Sequence, residues 1–250
     1  MSIICVSSDW HADARSHGVD RFDDVAQAVA QTVKAAREEH ADLYLFLGDL
    51  CDPDDVPRAL RSVRLMLDVA LELADAAIPL WVLAGNHCRI EDGSGRSVLS
   101  PLAAFEHSAF PAAVQVFDEP ATALLPGRAK KTSGRPAFAV VLPYPSASNA
   151  YDPAAYVRSA QPREHVALVA AHMTELSGIE PGEESLEMSR GRGVPFPLAE
   201  CDPSWLLMNG HWHHGQTFES GGRSVIIPGS LARLTHGESR AHPRFLMVEV

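Results

Sequence analysis

The sequence predicts an α/β fold in which residues 1–100 form a parallel sheet with helical crossovers. Three short apolar runs, at residues 3–6, 43–47 and 80–84, have the length and composition of buried strands. The two segments between them carry apolar residues at helical spacing. The resulting βαβαβ order requires consecutive strands to run parallel.

The two crossover helices are predicted from periodicity and capping residues. The first occupies residues 20–40, and its apolar face consists of Phe22, Val25, Val29, Val33 and Ala36. The second begins after Asp54 or Asp55, either of which can cap it, and Pro57 suits its first turn. Its buried stripe is expected to consist of Leu60, Val63, Leu67, Ala70 and Ala74.

Beyond residue 100 the apolar runs are shorter and are separated by turn-forming residues. Further strands, several of them antiparallel, are predicted at residues 114–117, 121–125, 138–142, 166–171, 205–208, 216–218, 225–227 and 245–250. A helix is predicted at residues 153–160. Residues 173–203 are expected to form a long surface loop, and residues 126–136 a basic hairpin tip.

Composition limits the classes of function. A chain of 250 residues, 46% hydrophobic, can bury one large core, so we expect a single domain spanning residues 1–250. Its net charge of -11 gives no overall attraction for nucleic acid or an anionic membrane. No leader pattern and no run of about 18 apolar residues is seen, which predicts a cytoplasmic protein without a membrane partner. The four cysteines are widely spaced, so reduced thiols are expected.

Polar side chains that bind metals recur where the predicted strands end. Asp9 and His11 follow the first strand, Asp49 the second and Asn86 the third. In an open α/β sheet these strand ends lie at one edge, where ligands bind. Because residues two apart in an extended segment face the same side, Asp9 and His11 can reach one ion together.

The second half of the chain adds three histidines at strand ends. His172 follows the strand at 166–171, and His211 and His213 follow the strand at 205–208, again two residues apart. Each of these side chains, taken alone, also fits an ordinary turn residue or an interior histidine. Their joint occurrence at five strand ends favours a metal centre.

The donor types narrow the choice of metal. Oxygen and imidazole ligands without thiolate suit a catalytic site and exclude an all-thiolate zinc site. We expect Mn, with Fe, Zn, Co and Mg as alternatives. Seven side chains exceed the needs of one ion, and paired divalent ions about 3.5–4 Å apart are typical of phosphate-ester chemistry. The sequence therefore predicts two divalent metal ions.

The ordered motifs DWH, GDLCD, GNHC, AAHMT and GHWHHGQ resemble those of the calcineurin-like metallophosphoesterases across nearly the whole chain. This resemblance implies a two-sheet β-sandwich flanked by helices, an α-β-β-α arrangement. The closing segment IPGSLARLTHGESRAHPRFLMVEV is similar to the end of the catalytic domain in SbcD-type nuclease subunits of the double-strand-break repair complex. It implies a DNA nuclease with a separate coiled-coil ATPase partner, although we expect no capping or ATPase-docking domain within residues 1–250.

The resemblance also assigns roles to individual residues. One ion would be held by Asp9, His11, Asp49 and His213, and the other by Asp49, Asn86, His172 and His211, so that Asp49 bridges. A hydroxide shared by the ions would attack phosphorus while His87 protonates the leaving oxygen. Cys88 stands where an acidic residue is usual in the family. Asp52 is the alternative partner for His87, and it fits a turn before the helix equally well.

A nuclease requires a basic path that leads to the metals. The candidates for substrate binding are Arg89, Arg233, Arg96, Arg190, Arg192 and the pair Lys130 and Lys131. Each of them also fits a solvated surface. Two other functions are compatible with the residues: a phosphodiesterase or phosphatase acting on small, cyclic nucleotides or phosphoproteins, and a non-catalytic scaffold on the same fold. A homodimer is an open alternative to a monomer.

Overall fold

Two β-sheets stack face to face and carry helices on their outer faces. The computed structural model describes residues 2–90, 94, 96–105, 107–126, 136–146, 150–174, 193–234, 238 and 242–250. The layers are α-β-β-α, as the family resemblance implies.

Within the described ranges, the first sheet has five strands: β1 Ile3–Ser7, β4 Leu43–Phe46, β5 Leu80–Leu83, β6 Val114–Phe117 and β13 Leu246–Glu249. Their order is β13-β1-β4-β5-β6. Strands β1, β4, β5 and β6 pair in parallel, which confirms the predicted parallel start of the sheet. Strand β13 runs antiparallel to β1. A short hairpin, β2 Arg15–Ser16 and β3 Val19–Asp20, was not predicted.

The described part of the second sheet has six strands: β7 Ala121–Leu124, β8 Phe138–Leu142, β9 Val166–Ala171, β10 Leu206–Asn209, β11 Gln216–Ser220 and β12 Arg223–Ile227. Their order is β11-β12-β10-β9-β8-β7. The two edge strands pair antiparallel with their neighbours, whereas the four central strands are parallel. The carboxyl ends of β9 and β10 therefore lie at one edge of this sheet.

The helices are α1 Phe22–Glu38, α2 Val56–Asp75 and α3 Pro153–Ser159. Asp55 caps α2, since its side chain accepts a hydrogen bond of 3.2 Å from the backbone N–H of Arg58. The predicted buried stripe of α2 is wrong in part, because Leu60 is 65% exposed. The residues that face the sheet are Ala59, Ser62, Met66, Val69, Ala70, Leu73 and Ala74. Both sets have helical spacing, so periodicity alone did not separate these neighbouring faces.

Three apolar clusters form the core. One fills the space between the sheets, a second packs α1 and α2 on the first sheet, and a third packs α3 on the second sheet. The described parts of the predicted surface loop, residues 173–174 and 193–203, contribute Met173, Phe196 and Cys201 to this third cluster, so these positions are buried. None of the helices in the described segments has the length and apolarity required to cross a bilayer.

A buried group of polar side chains joins the first sheet to α1. The hydroxyl of Tyr44 lies 2.9 Å from Ser7 Oγ and 2.5 Å from Thr32 Oγ1. Trp10 Nε1 donates to the same Ser7 oxygen at 3.1 Å. All four side chains are fully buried, so their hydrogen bonds satisfy groups that water does not reach.

Candidate metal centre

The loops that follow β1 and β4 run side by side and present the first candidate ligands. Asp9 N–H donates to Gly48 O at 2.9 Å, and His11 N–H donates to Asp49 O at 3.0 Å. Asp9, His11 and Asp49 have φ values of 51°, 39° and 59°, in the left-handed region. The premise that Asp9 and His11 converge because the segment is extended is therefore wrong. These backbone bonds hold strained ligand positions instead.

One group of candidate ligands consists of Asp9, His11 and His213. Their candidate donor atoms all lie within 4.8 Å of one another, and all three residues are buried. Nε2 of His213 lies 3.1 Å from Nε2 of His11. At this distance, both imidazole nitrogens could bind the same ion.

The second group consists of Asp49, His172 and His211, whose donor atoms meet the same 4.8 Å limit. Asn86 Oδ1 lies between the two histidines, 3.0 Å from His172 Nε2 and 3.0 Å from His211 Nδ1. His172 Nδ1–H donates to the carbonyl of Leu47 at 2.6 Å, which leaves Nε2 facing the centre. The structure thus brings together all seven residues that the sequence predicts as ligands.

The carboxylate of Asp49 lies between the two groups. Its Oδ2 is 3.2 Å from His172 Nε2 and 3.8 Å from His11 Nε2. Its Oδ1 accepts a hydrogen bond of 2.9 Å from the backbone N–H of His87. This position fits the bridging role that the resemblance implies, which stays a prediction.

The chemistry of these groups fits divalent cations. Oδ2 of Asp9 and Oδ2 of Asp49 are buried and accept no hydrogen bond of good geometry from the described residues, although His172 Nε2 lies 3.2 Å from Asp49 Oδ2. Burial raises the pKa of Asp9. Burial also opposes ionisation of Asp49, but the imidazoles of His172, His11 and His87 hold its pKa well below its usual range. Bound cations would supply the positive charge that two buried carboxylates require.

Two histidines of the centre, His211 and His11, are suited to bind metals as neutral imidazoles, whereas neighbouring carboxylates raise the pKa of His172 and His213 in spite of burial. Burial and the neighbouring His172 lower the pKa of His211 to about 3. Burial and His213 likewise hold the pKa of His11 well below 6.5. An unprotonated ring nitrogen offers a lone pair to a cation, so these imidazoles are ready donors at neutral pH.

His87 stands beside the first group and pairs with Asp52. Its Nδ1 lies 2.6 Å from Asp52 Oδ1, and its ring centroid lies 5.0 Å from that of His11. Burial lowers the pKa of His87, but the hydrogen bond with Asp52 and the charge of Asp49 more than compensate and raise it to about 9. Cys88 is buried, and its Sγ accepts a hydrogen bond from Leu50 N–H at 3.3 Å. Asp52 thus places a carboxylate beside His87, and its role in place of the acidic residue usual at Cys88 stays a prediction.

Glycines after the strands let the ligand loops approach closely. A Cβ atom on Gly85 would lie 2.1 Å from Asp49 Oδ1, and one on Gly210 would lie 2.6 Å from Leu47 O. Neither position accepts a side chain without moving the centre. The glycines of the GNHC and GHWHHGQ motifs are therefore part of the site.

One residue of the site was not among the predicted ones. Glu238 Oε1 lies 2.7 Å from His213 Nδ1, and Glu238 is fully buried. The Gly-Glu pair in the closing motif pointed to Glu238, but nothing in the sequence indicated that its carboxylate contacts His213.

The predicted substrate-binding arginines occupy different environments. Arg89 is 6% exposed, and its guanidinium donates to Asp118 O at 3.0 Å and to Tyr144 O. These contacts give Arg89 a structural role, and its contact with substrate stays a prediction. Arg233 and Arg96 are exposed. The other predicted basic residues, Lys130, Lys131, Arg190 and Arg192, lie outside the described residues.

Two neighbouring groups of buried metal-binding side chains lie at the carboxyl edge of a two-sheet sandwich. This arrangement is that of a metal-dependent phosphoesterase with a dinuclear divalent-metal site. The family model for calcineurin-like phosphoesterases matches residues 3–215. The chain belongs to this family.

Comparison with individual proteins gives two kinds of relative. The chain is 35% identical over 81 residues to the DNA double-strand break repair protein Mre11 of Sulfurisphaera tokodaii, a match that covers 32% of this chain and 20% of that protein. Among solved structures it is similar to a dimetal phosphatase from Danio rerio, with a TM-score of 0.52 at 12% identity, covering 98% of this chain and 91% of that one. At this identity the structural likeness shows the fold alone.

Proposed function

We propose that the protein hydrolyses phosphodiesters and that its substrate is DNA. The proposed reaction is supported by the two groups of candidate metal ligands and by the hydrogen-bonded pair of His87 and Asp52 beside them. The choice of DNA is supported by the partial match to Mre11 and by the resemblance of the closing segment to SbcD-type nucleases.

The residues of the centre would position the metals and the substrate. When bound, a pair of divalent ions makes a water molecule more acidic and attracts the phosphate oxygens. Asp9, His11 and His213 would hold one ion, Asp49, Asn86, His172 and His211 the other, with Asp49 shared. The preferred metal is Mn, because carboxylate, amide and imidazole donors without thiolate suit it.

His87 would act as the general acid. Its Nδ1 faces Asp52, so its Nε2 carries the proton that can be given to substrate. As the oxygen of water forms the new bond to phosphorus, the bond from phosphorus to the leaving oxygen breaks, and that oxygen takes the proton from His87. Asp52 belongs to neither ligand group, so its hydrogen bond holds the imidazole independently of the metals.

A phosphodiesterase or phosphatase acting on small nucleotides is the second candidate. The observation that favours it is electrostatic: the chain carries a net charge of -11, and the guanidinium of Arg89 is already engaged by Asp118 and Tyr144. A small substrate needs only the local charge of the metals, whereas a long polyanion needs a basic path.

A substrate panel with Mn tests the proposal. Linear DNA, circular single-stranded DNA, RNA, cyclic nucleotides and an aryl phosphodiester are compared for the wild type and His87→Ala. Turnover of DNA well above that of the small nucleotides supports the nuclease. Faster turnover of a cyclic or short nucleotide would overturn the choice of DNA in favour of the second candidate.

The resemblance of the closing segment to SbcD-type nuclease subunits also motivates proposals about partners. A separate coiled-coil ATPase subunit and self-association into a homodimer are both testable by co-purification and by light scattering. A cytoplasmic location is part of the same proposal.

A further inference from the structure

Glu238 is a buried carboxylate that reaches into the metal centre from a distant part of the chain. Its Oε1 lies 2.7 Å from Nδ1 of His213, which is 25 positions earlier in the sequence. Its Oε2 accepts a hydrogen bond of 2.6 Å from the backbone N–H of Leu234. Glu238 is fully buried and His213 is 7% exposed, so this contact is shielded from water.

The contact fixes which nitrogen of His213 is available to a cation. A carboxylate is only an acceptor, so Nδ1 of His213 must carry the hydrogen that it donates to Glu238. In the neutral ring Nε2 is then the unprotonated nitrogen, and it lies 3.1 Å from Nε2 of His11. Because a histidine that donates from one nitrogen to a carboxylate becomes a better ligand through the other, this hydrogen bond favours metal binding.

The position of Glu238 is itself fixed on both sides. Leu234 is 6% exposed and belongs to the apolar cluster beneath the first sheet. Its carbonyl accepts a hydrogen bond from Ser16 Oγ in the hairpin of β2 and β3. The carboxylate is therefore held between a buried backbone N–H and the imidazole, rather than at the end of a free side chain.

We infer that Glu238 is a positioning residue of the metal centre, which fixes the tautomer and orientation of His213 for the ion shared with Asp9 and His11. This inference rests on the dinuclear centre of the proposed function, and it adds a residue that does not touch metal or substrate. It predicts that one of the two ions depends on Glu238 and the other does not.

The variant Glu238→Gln tests the inference sharply. An amide has one acceptor oxygen, but Leu234 N–H and His213 Nδ1–H are both donors, so glutamine satisfies only one of them.

Titration with Mn should show two ions bound by the wild type. The variant should bind one ion with unchanged affinity and the other about 10–100-fold more weakly, with loss of the coupled two-manganese electron paramagnetic resonance signal. Glu219→Gln, an exposed residue of β11, removes the same charge and should bind both ions normally.

A second measurement does not depend on the folding of the variant. In wild-type protein loaded with zinc and labelled with 15N-histidine, the inference requires a hydrogen on Nδ1 of His213 that exchanges slowly. Unchanged binding of both Mn ions by Glu238→Gln, or a hydrogen on Nε2 of His213, would overturn it, as would wild-type protein that binds a single ion. A wild type that binds two ions but cleaves no phosphodiester refutes the proposed function and leaves the role of Glu238 intact.

Discussion

Nδ1 of His87 lies 2.6 Å from Oδ1 of Asp52, across the loops that follow β4 and β5. The two residues come from different motifs, GDLCD and GNHC, and meet beside the first group of candidate ligands. The pairing favours the protonated imidazole and leaves its other nitrogen, Nε2, without a bond to Asp52. Two predictions depend on this relationship.

Changing His87→Ala should reduce kcat by about 10²–10⁴-fold on substrates with an alkoxide leaving group, because the proposed donor of the proton to that oxygen is removed. An aryl phosphodiester has a leaving group that needs no proton, so its hydrolysis should fall much less. The test is to measure kcat on both substrates for the wild type and the variant, and to show by titration that the variant binds Mn as the wild type does. His214→Ala, an exposed neighbour of the site, is the control. Equal losses on both substrates would contradict a role as general acid.

The pair should also give the metal-free protein a pH-dependent stability. The pKa of His87 is raised to about 9 from its ordinary 6.5, so the stabilisation is fully present below pH 6.5 and is lost as the pH rises through about 9. With chelator present, the wild type should have a higher Tm than Asp52→Asn at about pH 6, and the difference should vanish above the raised pKa.

Asp54→Asn is the matched control for this measurement, because Asp54 is an exposed carboxylate of the same loop. It should show no such pH-dependent difference from the wild type. A constant gap between wild type and Asp52→Asn over the whole pH range would show that the loss is structural rather than electrostatic.

Divalent cations should stabilise the fold strongly. Asp9 and Asp49 are fully buried carboxylates, and in each Oδ2 accepts no hydrogen bond of good geometry from the described residues, so a bound cation would compensate their charge. At a free Mn concentration about 100 times Kd, each site adds about 2.7 kcal/mol to the free energy of unfolding. Thermal melts over a series of Mn concentrations measure the effect. Asp49→Asn should abolish most of it, and a Tm that does not respond to Mn in the wild type would contradict the metal centre.

The hydroxyl of Tyr44 should be important for stability but not for activity. Tyr44→Phe leaves Ser7 and Thr32 with fewer partners in a fully buried place, which should cost about 1–3 kcal/mol in urea unfolding. Tyr156→Phe, at a partly exposed position of α3, is the comparison and should cost little. A loss of Mn binding in Tyr44→Phe would show that this network supports the centre as well as the core.

The sequence predicted the elements that depend on local pattern. The ligand positions could be located because each follows an apolar run, and strand ends of a parallel sheet meet at one edge. Two features depend on tertiary contacts and were not predictable. The left-handed backbone at Asp9 and Asp49 is held by hydrogen bonds between two separate loops. The contact of Glu238 with His213 depends on the path of the chain after β12, which no spacing rule specifies.

Each ligand group draws on both layers of the sandwich. Asp9 and Asp49 follow strands of the first sheet, while His213, His172 and His211 follow strands of the second. A cation held by either group would therefore cross-link the two sheets at the edge where their parallel strands end. Removal of the ions should therefore destabilise that edge first. Amide hydrogen exchange should become faster in the ligand loops, while the exchange rates at the opposite end of the sandwich stay unchanged.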